Sequence, residues 1–207
     1  MRNIVALFLT GLGGVALGAL MFAATIPPYR SYPSFEAVMR TEALPTVRLM
    51  KGRNGACSAV VVAPGYALTA KHCNAIVSPV VDGNPVQTTR DYGDKDVMLL
   101  TVPGLKCPCA TVDTAPYVPG EAVASIGYPS ALGPLIALGH MQGMVTNSDG
   151  VAFLMHTAYS GSGMSGGGLF VLRGGRVLLA ALTSAGTEGV MTFSTDVTGL
   201  APQLKGL

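Results

Sequence analysis

The sequence predicts an all-β body of about ten short strands, preceded by a single apolar helix. Three observations predict it. Of the 207 residues, 49% are hydrophobic and only 12% charged, with 27 Gly, 14 Pro and no Trp. Short runs rich in Val, Ile, Leu, Thr and Ala recur from about Pro45 onward, separated by turn-forming pairs and triplets. No long helical period lies between them, and evenly spaced short strands with turn signals are the mark of a sandwich or barrel.

The strand runs, in order, are Cys57–Ala63, Tyr66–Ala70, Ala75–Val81, Val97–Val102, Ala122–Ile126, Leu135–Val145, Val151–Thr157, Gly168–Leu172, Val177–Thr183 and Val190–Phe193. Between them stand Pro64-Gly65, Asp82-Gly83-Asn84, Pro103-Gly104, Pro119-Gly120, Asn147-Ser148-Asp149-Gly150 and Gly174-Gly175. Disorder is excluded, because a disordered chain is poor in apolar residues and rich in charge. The formal net charge of +2, without a basic run, argues against a nucleic-acid partner.

The N-terminal segment reads separately. From Ile4 to Ile26 no residue is charged, and as a helix this stretch rises about 35 Å, against a hydrocarbon core of about 30 Å. Pro27 and Pro28 end it, with Tyr29 and Arg30 at the interface position. The run is longer than the apolar part of a signal peptide, and Ala23-Ala24-Thr25 is a poor cleavage site. We therefore expect residues 1–28 to be a membrane anchor, with a cleaved signal segment and a secreted body as the alternative. Residues 29–44 read as a linker with at most one helical turn, and 45–207 as the functional domain. Cys57, Cys73, Cys107 and Cys109 form an even set in that domain, which fits an oxidising compartment, periplasmic or extracellular.

Two motifs carry chemistry. Gly161-Ser162-Gly163-Met164-Ser165-Gly166-Gly167-Gly168 sets a serine among glycines, which let a backbone turn its N–H groups toward one point. Alone this is as readily a flexible loop. The second motif, Cys57 to Cys73, reads strand, tight turn, strand, and then His72 beside a cysteine. Serine acyl transfer needs a hydroxyl, an imidazole to take its proton, a carboxylate to orient the imidazole, and N–H donors for the oxyanion.

The segment "TAKHC" resembles the T-A-[AG]-H-C motif of the chymotrypsin/trypsin-like serine proteases, with Lys71 at the variable place. "GMSGGGLF" resembles that family's G-D-S-G-G-P-L, and "DVMLL" its D-I-A-L-L strand; the order His, Asp, Ser also agrees. The resemblance covers residues 45–207 and implies two packed six-stranded antiparallel β-barrels with the site between them. It implies Ser165 as nucleophile, His72 as general base and acid, and Asp96 as orienting carboxylate, with Asp94 as rival. Gly163 and Ser165 would supply the oxyanion hole, and Cys57 and Cys73 a disulfide.

The sequence also departs from the family. Met164 replaces the Asp that pairs with a new N-terminus in zymogen-activated members, so activation by N-terminal insertion is not expected. Tyr159 falls at the pocket base, Ser184-Ala185-Gly186 resembles the S-W-G substrate-pairing edge, and Gly189-Val190 the far pocket wall. A pocket without fixed charge, for small or apolar side chains, follows; Thr183 in place of a His argues against glutamate specificity. Cys107 and Cys109 are unexplained by the family: a C-x-C disulfide, free thiols or metal ligands remain open, metal being disfavoured for want of four ligands. His140 and His156 read as ordinary strand residues. No cofactor is expected. The expected partners are a protein or peptide substrate and, through the N-terminal helix, a membrane. Alternatives to an endopeptidase are a silent protease-fold binding or scaffold protein, and a narrow-substrate esterase or autoprocessing hydrolase.

Overall fold

A computed structural model of the chain describes residues 33–187 and 191–207. The expected membrane segment lies outside these residues. Among the described residues no helix is long and apolar enough to cross a membrane.

The body is all-β, built from two sheets of unequal closure. The first holds seven strands: β1 (Val47–Lys51), β2 (Ala56–Ala63), β3 (Tyr66–Thr69), β4 (Val80–Val81), β5 (Asn84–Pro85), β6 (Thr88–Asp91) and β7 (Met98–Thr101), in the order β5-β4-β1-β2-β3-β7-β6. The second is a closed six-stranded barrel of β8 (Ala122–Gly127), β9 (Leu135–Thr146), β10 (Ala152–His156), β11 (Gly168–Arg173), β12 (Arg176–Thr187) and β13 (Met191–Asp196). The expectation of two six-stranded barrels is therefore corrected for the first half. Its sheet stays open because its edges are weak. β5 is two residues long and ends in Pro85, which has no N–H to give a ladder. β6 is exposed at all four positions and, among the described residues, pairs only with β7.

Nine of the ten expected runs contain strands close to the expected bounds. The exception is Ala75–Val81, where the chain leaving His72 first makes a tight 3₁₀ turn (Lys71–Ala75) and only Val80–Val81 pair. The part of the expected linker that is described is not loose. Ser34 caps α1 (Phe35–Val38) by accepting from the Ala37 N–H at 3.2 Å, and a π-type turn continues it to Ala43. Met39 and Ala43, four residues apart and so on one helical face, are fully buried among Val60, Leu68, Ile126 and Phe170, which come from both sheets. Burying a side chain such as Met39 contributes about 2 kcal/mol, so this stretch packs as part of the body.

Cys57 and Cys73 are bonded, tying β2 to the turn that carries His72. Closing a loop of this size stabilises by roughly 3 kcal/mol in the chain-entropy model. Cys107 and Cys109 are bonded to each other, which settles the three options left open. They sit in the connector between the sheets, where the Ala110 N–H reaches Val61 O on β2 (2.8 Å) and the Asp113 N–H reaches Leu179 O on β12 (2.9 Å).

Candidate active site

His72 lies in the turn after β3, and Asp96 lies just before β7, the strand paired with β3. That pairing brings the two side chains together. His72 Nδ1 stands 2.8 Å from Asp96 Oδ2, and the His72 backbone N–H donates to Asp96 Oδ1 at 3.0 Å. The Ser184 hydroxyl donates to the same Oδ2. Lys71 holds the β6–β7 loop beside this pair through Gly93 O and Asp91 Oδ2, both at 3.2 Å. Asp94, the rival carboxylate, is exposed on another cleft beside Lys95 and Asp196.

The electrostatics follow from these contacts. Its hydrogen bond to the Asp96 carboxylate raises the His72 pKa above its ordinary 6.5, against the opposing effect of burial. Burial pushes the Asp96 carboxyl up, but hydrogen bonds from His72 and Ser184 outweigh it and hold the group below its usual range. The pair is thus an ionised carboxylate fixing a basic imidazole, with Nδ1 committed to the carboxylate and Nε2 left to act elsewhere. His156 differs: fully buried on β10 against Ser194 Oγ (2.9 Å), it is pushed down to about 4 by burial and stays neutral. His140 is exposed on β9.

Ser165 sits in the loop between β10 and β11, half-buried, and two anchors hold it to the first sheet. The Ser58 N–H donates to Ser165 O at 2.7 Å, and the Cys57–Cys73 bridge lies against that carbonyl, with Cys73 Sγ at 3.9 Å. In this structure no hydrogen bond joins the Ser165 hydroxyl to the imidazole; such contacts commonly tighten only when substrate binds.

The loop's glycines are dictated by close approach. Gly166, at φ +78°, sits where a Cβ would stand 2.1 Å from Thr69 Oγ1 and 2.4 Å from Ser58 O. Gly163, at φ +89°, has no room either, because a Cβ would stand 2.5 Å from Tyr128 O. The neighbouring carbonyls fix the direction of the two expected oxyanion donors. Ser130 N holds Ser162 O at 2.7 Å, and Gly167 N holds Met164 O at 2.8 Å. In a planar trans peptide the N–H faces away from its carbonyl, so the Gly163 and Ser165 N–H groups point out of those contacts. Among the described residues neither donates to a protein acceptor.

Ser58 is the residue that sequence reasoning missed. It is fully buried on β2. Its hydroxyl donates to Gly163 O at 2.9 Å and accepts from the Tyr128 N–H at 2.9 Å, while its own carbonyl accepts from Thr69 Oγ1 at 2.7 Å. A serine inside an apolar strand, directly after a cysteine, was the only available signal.

The expected pocket residues separate. Ser184 is the extra residue of a bulge in β12, between Thr183 and Ala185, and the bulge turns its hydroxyl onto Asp96. β11 leaves β12 at Leu182, so among the described residues Ala185 and Gly186 pair with β13 on one side only and present an open edge on the other. Tyr159 does not form the floor of a closed pocket: it is 52% exposed, with its hydroxyl folded over Gly161. Opposite, a Cβ on Gly186 would stand 3.3 Å from the Ser160 carbonyl oxygen. Allowing about 1.5 Å for the Cα–Cβ bond, the two backbones are at most about 4.8 Å apart there. A side chain sandwiched between them needs about 7 Å, two van der Waals contacts. Gly189 lies outside the described residues.

A comparison with protein families agrees with this geometry. Residues 57–178 match the trypsin-like peptidase domain, and the chain belongs to that family: it is a serine protease. Among solved structures, the chain is similar to the Rv3671c protease of M. tuberculosis in its active form (19% identity, TM-score 0.67, covering 81% of this chain and 82% of that one). It is also similar to the serine endoprotease of Yersinia pestis (23%, TM-score 0.68, 83% and 65%) and to the HtrA-type protease AlgW with tripeptide (24%, TM-score 0.66, 83% and 62%). No curated protein matches.

Proposed function

We propose that the chain is an endopeptidase working through an acyl-enzyme, with Ser165 as nucleophile, His72 as general base and then acid, and Asp96 orienting the imidazole. The observation that carries this reading is the His72–Asp96 pair: one carboxylate, gripped by Ser184, takes both the backbone N–H and Nδ1 of one histidine. Ser165 O is tied to the strand next to that histidine's disulfide, and the unspent N–H groups of Gly163 and Ser165 are suited to a developing oxyanion. The substrate's acyl side pairs with the open edge at Ala185–Gly186, and the narrow gap at Gly186 restricts the residue before the scissile bond to Gly, Ala or Ser.

The enzyme needs no N-terminal insertion to become competent. Met164, where such an insertion would need a carboxylate, is a fully buried apolar side chain. Residues 1–28 tether the body to a membrane on the oxidising side, a reading supported by the apolar run and the two disulfides. The test of the chemistry is labelling of the full chain by a fluorophosphonate probe, beside Ser165→Ala. Stoichiometric labelling lost in the variant is expected; a folded wild type that stays unlabelled refutes the enzyme reading. The mass of the mature protein decides whether residues 1–28 are retained.

A further inference from the structure

An open cleft of about 520 Å³ starts at the Ser162–Gly163 peptide and runs to the β1–β2 turn. Its walls are Gly, Ala and Ser residues of that turn, of the Ser130–Ala131 turn and of the peptide itself; Lys51 supplies its one charge. No residue of β12 lines it. If the acyl side of a substrate lies along the open edge at Ala185–Gly186, the cleft beyond Gly163 is on the opposite side of the scissile carbonyl. The leaving group must pass there.

Lys51 is held in place by a stiff frame. It is the last residue of β1, paired with Ala56 on one side and Val80 on the other. The turn that follows is fastened by Gly52 N to Gly55 O (3.0 Å), Arg53 N to Val77 O (3.0 Å) and Asn54 to Ala75 O and Val77 N (2.9 and 2.7 Å). Gly52 is packed so tightly that a Cβ would meet Val77 O at 2.4 Å. Yet among the described residues no carboxylate pairs with Lys51 or with Arg53, two residues on. Asp82, a carboxylate on the neighbouring β4–β5 turn, is taken by Arg48 at 3.4 Å. A cation on a rigid mount, in a cleft whose other walls are small and uncharged, selects by charge and not by shape.

We propose that this cleft is a leaving-group subsite that selects an acidic side chain, paired with Lys51, in the first two residues after the scissile bond. The proposal rests on the acyl-transfer reading above. The substrates it defines are peptides with a small residue before the cut and Asp or Glu shortly after it. The pair forms at a solvent-open site, so its effect is modest: an exposed ion pair corresponds to roughly a two- to five-fold preference. It also fades with salt, because the screening length falls to about 3 Å at 1 M.

The test uses the full chain in detergent and internally quenched peptides with Ala before the scissile bond. The peptides differ only in carrying Asp, Ala or Lys at the first or second position after it. For the wild type, kcat/KM should rank Asp over Ala over Lys, at least two-fold per step at one of the positions, and the ranking should flatten in 1 M NaCl. Lys51→Glu should invert the order, and Lys51→Arg should keep it. Each enzyme is compared with itself, so a general loss of activity does not blur the result. Equal rates for the three peptides, or the same ranking in Lys51→Glu, overturn the subsite while fluorophosphonate labelling of Ser165 still upholds the protease. Absence of both labelling and cleavage overturns the protease reading, and this proposal with it.

Discussion

The Ser58 hydroxyl donates to the Gly163 carbonyl at 2.9 Å, joining a buried position on β2 to the loop of the nucleophile across 105 residues. The same oxygen accepts from Tyr128 N, so one hydroxyl satisfies two backbone groups, one buried and one half-buried. Ser58→Ala leaves both unpaired, at about 1–3 kcal/mol for the buried Gly163 carbonyl and less for the half-buried Tyr128 N–H, which water can reach. It also frees the Gly163–Met164 peptide to turn about the Gly163 Cα, the residue whose N–H is a candidate oxyanion donor. The expected outcome is a stability loss of about 2 kcal/mol by denaturant titration and a roughly ten-fold fall in kcat with little change in KM. A purely structural serine would lower stability and leave kcat per labelled Ser165 unchanged.

The His72–Asp96 pair gives a pH dependence of definite sign. A raised His72 pKa means that the imidazole, needed neutral as a base, is captured by protons to higher pH than a free histidine. The rate kcat/KM should therefore rise along a single acid limb whose midpoint lies above 6.5. The stability linkage runs the other way. A group whose pKa is higher folded than unfolded stabilises most below the unfolded value, and that contribution is lost as pH rises through the folded one. Asp96→Asn should remove the cause of the shift and cut kcat by about 10⁴. A limb that stays above 6.5 in Asp96→Asn would show that another group sets it.

The candidate site was readable in the sequence where its chemistry is local. His72 beside Cys73, the glycines around Ser165 and the Asp that opens β7 each occupy a few adjacent residues, so their spacing survives without a structure. Ser58 was not readable, because what distinguishes it is a partner 105 residues away. Ser184 was read for its backbone alone, as part of a substrate-pairing edge; that its hydroxyl also reaches Asp96 depends on a single-residue bulge, and bulges leave no pattern in composition. β6 (TTRD) is polar throughout and became a strand only through its partner β7. The stretch at 35–43 was read only as linker with one helical turn, although Met39 and Ala43 already had the spacing of one buried face.

The gap between Gly186 and Ser160 makes a specificity prediction independent of Lys51. With the backbones at most about 4.8 Å apart, a side chain larger than that of Ala or Ser must force the two walls apart. In a peptide series varied only before the scissile bond, Gly, Ala and Ser should be favoured over Leu, Phe and Lys by at least ten-fold in kcat/KM, the loss of about 1.4 kcal/mol. Comparable rates for Phe and Ala would mean that the walls open freely in solution.

The sharpest stability prediction concerns Gly166, next to the nucleophile. Its φ of +78° lies in the left-handed region, and an added Cβ would stand 2.1 Å from Thr69 Oγ1, 2.4 Å from Ser58 O and 2.7 Å from Ala70 N. The Thr69 hydroxyl cannot step aside cheaply, because it donates to Ser58 O at 2.7 Å; the other two atoms are backbone of β2 and the end of β3. Gly166→Ala therefore adds conformational strain of about 1 kcal/mol to a clash that must push the loop off the first sheet. The Gly166 N–H to Thr183 O bond (2.7 Å) and the Ser58 N–H to Ser165 O bond (2.7 Å) lie on either side of that clash. A total loss above about 4 kcal/mol is expected, a fall in Tm of about 10 °C or more for a domain of this size. Gly133 has no atom within 4 Å of an added Cβ and no positive φ, so Gly133→Ala should move Tm by no more than a degree or two. Equal Tm values for the two variants would show that the loop does not pack against β2 and β3 as described.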